Sequence, residues 1–362
     1  MAGSVHQDRV RRRRLIACLS VGVLVLCVAG LLLVVLPTTR HVKVVRVLKT
    51  DQVGPQITST PSLPAASAGV QPGRKPVYEE EPGAPSAPTA AAGSASGTAH
   101  SPLPSGATAS FARVSATLPG RIELAVDPLG AGPREVLGND EAAHGWSTTK
   151  VPVLVALLRA RGSGGLTSQE QAWAQSAITE SNNESVLALF GDLERLKGGL
   201  GGASRYMEGF LRMSGDNETV IATAPPPAGA VTTFGQTEWA PGEAVKFFRA
   251  LALSCLLPAD QTGYVLGLMQ NIEPSESWGL GSAGFHSVAF KGGWGPEPSG
   301  AYLVRQSGII DVGSSRGVAV SIVAFPSSGS FSSGTQMLTQ AAVWLHHELR
   351  LVPRAATGCS AE

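Results

Sequence analysis

Three short stretches of the sequence carry side chains that could perform nucleophilic catalysis. The first, "HGWSTTKVPVLVALL", places Ser147 three residues before Lys150, at the start of an apolar run with helical spacing. Residues three apart on a helix share a face, so a helix that begins near Ser147 would bring its hydroxyl to the Lys150 amine. A serine hydroxyl is a poor nucleophile at neutral pH and needs a base within hydrogen-bond reach. Ser147 and Lys150 therefore form a candidate pair of nucleophile and base.

This chemistry requires Lys150 to be neutral, because an ammonium group cannot accept a proton. Burial, a second nearby cation and the positive end of a helix dipole all disfavour the charged form of a lysine. The same helix end would offer the backbone N–H of Ser147 as one donor of an oxyanion hole. A lone Ser-x-x-Lys match is more often a capping serine followed by a surface lysine. The rest of the sequence has to decide between these interpretations.

Two further stretches follow in a fixed order. "AITESNNESVLALF" places Ser181 and Asn183 in a turn between two helices, and a Lys-Gly-Gly at residues 291–293 follows the strand pattern "HSVAF". Taken alone, the first stretch is explained by a helix cap at Ser181, and the second by the end of a strand. A second Lys-Gly-Gly, at residues 197–199, closes a helix as a glycine C-cap does. Only the copy at residues 291–293 lies on a strand, and the ordered set of three motifs is far more specific than any one of them.

The ordered set resembles the motifs of the superfamily of penicillin-binding proteins, which are serine D,D-peptidases, and class A β-lactamases. The resemblance covers about residues 115–352. It implies that Ser147 is the acylated nucleophile, that Lys150 is its base, and that Ser181 relays protons to the leaving group. It also implies a backbone N–H of Trp294 in the oxyanion hole. Asn183, Lys291 and Gly293 would bind substrate, with Asn183 holding an amide and Lys291 attracting a carboxylate.

The chain departs from the family pattern at several positions. Asn182 replaces an aspartate and Gly292 replaces a hydroxyl residue, so the substrate preference is open. The interval between Ser147 and Ser181 is short, which predicts a more open cleft. The Glu-x-x-Leu-Asn motif that supplies the deacylating base of class A enzymes is missing from the sequence. The stretch "FLRMSGDNETVIATAPPP" resembles the segment that leads to this motif in class A enzymes. When the two are aligned, Pro225 takes the place of the glutamate, and Glu218 lies several positions earlier.

The pattern of helices and strands predicts an α+β fold. Strand patterns such as "RIELAVDPLG" and "AYLVRQSGII" occur near both ends of the region 111–353, with helices between them. We expect one antiparallel sheet built from both termini and flanked by helices, together with an all-helical subdomain. Residues 354–362 are assigned to a tail. The four cysteines do not make a disulfide framework, since Cys255 lies in a helical pattern and Cys359 in the tail.

The N-terminal region predicts a membrane anchor. Residues 1–14 form a basic head, and residues 15–36 form an uncharged apolar run long enough to span a bilayer. Residues 37–110, rich in Pro, Ala, Ser and Gly, cannot bury enough apolar surface to fold and are expected to form a linker. The arginines of the head favour a cytoplasmic N-terminus. We expect a single-pass plasma-membrane protein with an extracytoplasmic catalytic domain.

Three functions fit these observations. The first is a membrane-tethered serine acyl-enzyme hydrolase or transpeptidase that acts on peptidoglycan-like amides or β-lactams; the partners are then a β-lactam or cell-wall stem peptide and the membrane. The second is a working β-lactamase, and the third a catalytically silent binding domain. The chemistry needs neither a metal nor a cofactor, and the formal net charge of +1 gives no indication of nucleic-acid binding. An α/β-hydrolase esterase is disfavoured because "GWSTT" lacks the second glycine of Gly-x-Ser-x-Gly.

Overall fold

The computed structural model describes residues 100–226 and 230–359. The predicted basic head, the predicted transmembrane run and most of the predicted linker lie outside these residues. Within them, no helix combines the length and the apolar character needed to cross a bilayer.

The main sheet has five antiparallel strands in the order β2-β1-β7-β6-β5. The seven strands of the described chain are β1 (Gly120–Pro128), β2 (Glu135–Leu137), β3 (Ala143–His144), β4 (Glu238–Trp239), β5 (Val288–Pro296), β6 (Tyr302–Ile310) and β7 (Val318–Pro326). The first long strand pairs with the last, with Leu124 opposite Ile322. The prediction of one antiparallel sheet built from both termini is therefore confirmed, while β3 and β4 form a separate two-stranded ladder.

Helices cover both faces of the sheet. The helices are α1 (Ala107–Ser115), α2 (Lys150–Arg161), α3 (Ser168–Thr179), α4 (Asn183–Lys197), α5 (Leu200–Met213), α6 (Pro241–Ala252), α7 (Ala259–Gln270) and α8 (Phe331–Glu348). Side chains alternate across a strand, so Leu124 and Val126 face the core beneath α1 and α8, and Ala125 faces the helical core. Because both faces are covered, β7 is a nearly continuous apolar run.

Helix α2 lies at the centre of the helical layer. All residues from Lys150 to Leu158 are buried, as expected for a helix that is apolar on every side. Helices α3 to α5 pack around it and share its core through Ile178, Leu193 and Met207. The all-helical subdomain predicted for the middle of the chain is confirmed, and it fixes the helix that begins at Lys150.

The folded domain extends beyond the predicted boundary of residue 111. Helix α1 begins at Ala107, and Leu103 is already buried. The ring of Phe111 lies 5.0 Å from that of Trp344 on α8, which explains why this short helix docks. Residues 100–110 were predicted to belong to the linker because their Pro, Ser, Gly and Ala content resembles that of the preceding segment.

The C-terminal tail is attached to the domain. Ala356 forms an isolated bridge with Gly130, and Cys359 forms a disulfide with Cys255 across 104 residues of sequence. Cys255 follows the end of α6 at Ala252 and is not helical, contrary to the sequence-based expectation. The sequence analysis found no disulfide pattern because the pairing depends on where the tail docks.

Loss of this disulfide is expected to destabilise the domain. Cys359→Ser should lower the free energy of unfolding by about 2–4 kcal/mol, because the bond closes a long loop in the unfolded chain. Urea unfolding of the full-length protein, with and without reductant, measures this difference. The variant should be insensitive to reductant, and an unfolding midpoint of the unmodified protein that full reduction leaves unchanged would contradict the prediction.

Candidate active site

Ser147 lies on a short 3-10 turn, Trp146–Thr149, that leads directly into helix α2. The backbone N–H of Lys150 bonds to the carbonyl of Ser147, so the two residues share one helical turn. In the part of the chain that the structure describes, no hydrogen bond joins the Ser147 hydroxyl to the Lys150 amine, which is directed to Ser181 and Asn183. Trp146 enters the turn with a φ of 46°, a left-handed conformation that non-glycine residues rarely adopt. Ser147 is half-buried and lines a cleft, and within residues 100–226 and 230–359 its hydroxyl makes no hydrogen bond.

Lys150 is a buried side chain, only 1% exposed, which excludes the interpretation as a surface lysine. Its amine donates to the Asn183 side-chain oxygen at 2.9 Å and to the backbone carbonyl of Ser181. Burial and then the charge of Lys291 lower the pKa of Lys150 to about 7, while Glu276 opposes the shift. These are the causes that the sequence analysis required for a neutral base. A substantial fraction of Lys150 is therefore uncharged at neutral pH.

Ser181 joins the two lysines of the site. It occupies the loop between α3 and α4 with a φ of 57°, a strained conformation of the kind that clusters at functional sites. Its Oγ lies 3.4 Å from Lys150 Nζ and 2.9 Å from Lys291 Nζ. The next residue, Asn182, caps α4 by accepting from the Ser185 N–H at 2.8 Å. Because asparagine and aspartate are equally good N-caps, the change at this position keeps the loop in place.

Lys291 is fully buried on β5, at 0% exposure. Its Nζ donates to Ser181 Oγ at 2.9 Å, to Glu276 Oε2 at 3.2 Å and to the Gly292 carbonyl at 3.2 Å. Burial lowers the pKa of Lys291, and the Glu276 carboxylate acts in the opposite direction. Glu276 was not predicted from the sequence and lies on a short 3-10 turn, Pro274–Glu276. Its only signal in the sequence is a carboxylate shortly before the Lys-Gly-Gly strand.

Strand β5 brings the third motif against the nucleophile. Among the described residues it is the edge strand of the sheet, next to β6. A side chain added at Gly293 would place Cβ 2.9 Å from the Ser147 nitrogen and 3.0 Å from that of Thr148. Glycine thus allows the strand to approach the serine turn closely. Trp294 follows on the same strand and lines the cleft with Ser147. The two predicted oxyanion donors therefore belong to adjoining elements.

The cleft has a volume of about 380 Å³. The described residues that line it are Trp146, Ser147, Glu180, Ser181, Asn183, Val231, Thr232, Glu276, Trp294, Gly295, Pro296 and Tyr302. Lys150 and Lys291 lie beneath this surface, buried. The lining thus includes two carboxylates, Glu180 and Glu276, and in the described part of the chain it includes no lysine, arginine or histidine. The sequence analysis named neither carboxylate.

Neither residue considered at the position of the deacylating base lines this cleft. Pro225 is exposed, and its side chain cannot accept a proton. Glu218 is also exposed, and its backbone N–H bonds to Asp216 Oδ1 at 3.2 Å. Asp216 is buried and also accepts from Trp239 Nε1 at 3.0 Å, so this loop is organised around Asp216. The described residues here offer no substitute for the glutamate of class A enzymes.

Comparison with solved structures identifies the fold. The chromosome-encoded β-lactamase of Vibrio parahaemolyticus matches with a TM-score of 0.53 at 18% identity, covering 66% of this chain and 98% of that chain. The class A β-lactamase from Mycobacterium abscessus matches with a TM-score of 0.52 at 17% identity, covering 67% and 98%. The β-lactamase from Streptosporangium roseum gives 0.52 at 16% identity, covering 67% and 98%.

No protein-family model matches the sequence, and no curated protein matches it in sequence. The structural matches cover nearly the whole of each β-lactamase, so the described domain has the complete α+β fold of those enzymes. The resemblance inferred from three short motifs is confirmed at the level of the fold.

Proposed function

We propose that this domain is a serine acyl-enzyme hydrolase or transpeptidase that acts on peptidoglycan-like amides or β-lactams. The observation that carries the proposal is the buried Lys150 amine, with a pKa of about 7, one helical turn from Ser147. A structural lysine would not need to be buried beside a second lysine and a strained serine, an arrangement that is typical of functional sites.

The reaction follows from the positions of these groups. Lys150 takes the proton of the Ser147 hydroxyl as its oxygen attacks the carbonyl carbon of the substrate. The N–H groups of Ser147 and Trp294 stabilise the oxyanion that forms. Ser181 then gives its proton to the leaving nitrogen and is reprotonated from Lys150, which releases the amine and leaves an ester on Ser147. Water or a second amine attacks this ester and completes hydrolysis or transfer.

Intact-protein mass spectrometry of the full-length protein tests this mechanism. Incubation with a penicillin, with its methyl ester and with an alkyl fluorophosphonate should give an adduct with at least one of these probes. Ser147→Ala should remove the adduct, and Ser185→Ala, at an ordinary helix position, should leave it unchanged. Absence of an adduct with all three probes would contradict the proposed chemistry and favour the catalytically silent binding domain.

Turnover of β-lactams is a second candidate function, favoured by the structural similarity to β-lactamases. The loop around Pro225 counts against it, because Pro225 stands at the position of the missing glutamate and Glu218 of the same loop does not line the cleft. The two functions differ in the lifetime of the adduct on Ser147.

We also propose that the domain lies outside the plasma membrane. The apolar run at residues 15–36 and the arginines before it support this topology. The disulfide between Cys255 and Cys359 supports it independently, because such bonds persist in oxidising compartments.

Protease added to intact cells should release the folded domain by cleavage within residues 50–99. The composition of this segment predicts an exposed chain, which proteases cut readily. Immunoblotting of the cell surface and medium with an antibody to the domain measures release, and a cytoplasmic marker protein serves as the control. Protection in intact cells that is lost only on lysis would show the opposite topology.

A further inference from the structure

We propose that the cleft takes acyl donors with no carboxylate next to the scissile nitrogen or oxygen, namely neutral or cationic amides and esters, because Glu276 occupies the place of a substrate carboxylate. This inference rests on the proposed function and specifies its substrate class. In the related enzymes the resemblance implies that the lysine of the third motif attracts a carboxylate of the substrate. Here the corresponding Lys291 already has a carboxylate partner within the protein.

The hydrogen bonds of Lys291 leave no donor for a substrate. A lysine ammonium has three donors. All three are directed to protein acceptors: Ser181 Oγ, Glu276 Oε2 and the Gly292 carbonyl. The side chain is also fully buried, so a substrate carboxylate could reach it only by displacing the Glu276 carboxylate.

The neighbouring position supplies no substitute donor. Gly292 stands where the resemblance places a hydroxyl residue, and it has no side chain. A Cβ added there would lie 3.1 Å from Trp278 Cζ2, so the indole fills that space. Trp278 is held by edge-to-face contacts, with its ring 6.1 Å from that of Trp294 and 5.9 Å from that of Phe331. A hydroxyl side chain therefore has little room at this position.

The charge of the cleft also disfavours a substrate that carries a carboxylate. Glu180 and Glu276 both line it, and the lining residues within 100–226 and 230–359 include no cation. Lys291 balances the charge of Glu276, so the net charge that a substrate carboxylate would meet at the described lining comes from Glu180 and is repulsive. A neutral group avoids this cost, and a cationic group would be attracted. A peptide bond within a longer chain or an ester meets this requirement, whereas the C-terminal bond of a free peptide acid does not.

A matched pair of acyl donors tests the inference on the full-length protein. Benzylpenicillin carries a carboxylate on the carbon next to the scissile nitrogen, and its methyl ester carries a neutral group there. The rate of adduct formation on Ser147 is measured for each by mass spectrometry and divided by the rate at which the same compound reacts with hydroxide. We expect the methyl ester to acylate at least about tenfold faster after this correction, since like charges repel at short range.

Glu276→Gln should reduce this preference about tenfold by accelerating the free acid, because Lys291 then lacks an anionic partner. Glu273→Gln removes the same charge three residues earlier, at an exposed position outside the cleft, and should leave the preference unchanged. The comparison of the two donors on the unmodified protein needs no substitution, so it holds even if Glu276→Gln impairs folding.

Each alternative outcome has a definite meaning. A free acid that reacts as fast as the ester, or faster, on the unmodified protein would overturn this inference and leave the proposed function intact. An ester preference that is the same in Glu276→Gln would overturn the role of Glu276. The absence of any adduct with both penicillins and with the fluorophosphonate would overturn the proposed function and this inference together.

Discussion

Replacement of Lys150 by methionine is expected to slow the acylation of Ser147 about a hundredfold or more, because it removes the base that takes the serine proton. Methionine keeps the length of this buried side chain, so α2 should remain packed at its first turn. The reaction to follow is single-turnover adduct formation with the methyl ester of benzylpenicillin, measured by mass spectrometry. Lys246→Met serves as the control, since Lys246 pairs with Glu243 at 2.6 Å and does not line the cleft.

The dependence of this rate on pH separates a base from a merely structural lysine. The pKa of Lys150 is lowered to about 7, and the proposed mechanism uses its neutral form. The rate in the unmodified protein should therefore rise about tenfold per pH unit below pH 7 and level off above it. Lys291 and Glu276 are the other ionisable groups that act on Lys150, and both are retained in Lys150→Met. A rate that is unchanged in Lys150→Met, with the same pH profile, would rule out Lys150 as the base.

The adduct on Ser147, once formed, is expected to persist. Hydrolysis of an ester needs a water molecule that loses its proton as it attacks, and a positioned general base is worth roughly two to four powers of ten in rate. The loop that carries this base in class A enzymes has Pro225 at the corresponding place, and Glu218 does not line the cleft. Glu276 is held in an ion pair with Lys291, with 3.2 Å between Oε2 and Nζ.

A time course of the adduct after removal of the free acyl donor measures its lifetime. Glu218→Gln and Glu180→Gln are followed alongside the unmodified protein, since Glu218 is the exposed carboxylate of the loop and Glu180 is the carboxylate of the cleft lining that is not paired with Lys291. We expect the same slow decay in all three. Rapid decay that either substitution slows would identify that glutamate as the deacylating base and establish turnover of the β-lactam type.

The three motifs of the candidate site could be found in the sequence because the proposed chemistry needs particular residue types at a fixed spacing. Ser147 and Lys150 are linked by helical spacing, and the order of the three motifs reflects the order of the elements that carry them. Burial and a second cation are among the factors that favour a neutral lysine, and the structure buries Lys150 with Lys291 as the cation that lowers its pKa. The sheet was predictable for a similar reason, since strands covered on both faces are distinctly apolar.

Contacts between loops were not predictable in the same way. Glu276 meets Lys291 only because the 3-10 turn before β5 folds back over the strand, and no periodicity records such a turn. The left-handed backbone conformation of Ser181 could not be predicted from the sequence either, because serine has no special preference for that conformation. The pairing of Cys255 with Cys359 depends on the docking of a segment without regular structure. The two contacts depend on which parts of the folded chain come together, and the conformation of Ser181 is a property of the folded loop between α3 and α4.

The attachment of the tail brings the two ends of the folded domain together. Arg354 donates a hydrogen bond to the His100 carbonyl and another, at 3.3 Å, to that of Ala131. Ends that lie this close can be joined by a short peptide, and domains with adjacent ends tolerate circular permutation. The domain can thus be reopened at an exposed surface turn such as the one around Gly198, between Ser181 and Lys291, which moves the Lys291 motif ahead of Ser147 in the polypeptide. A permutant that still forms the adduct on Ser147 would show that the order of the three motifs is not required by the chemistry.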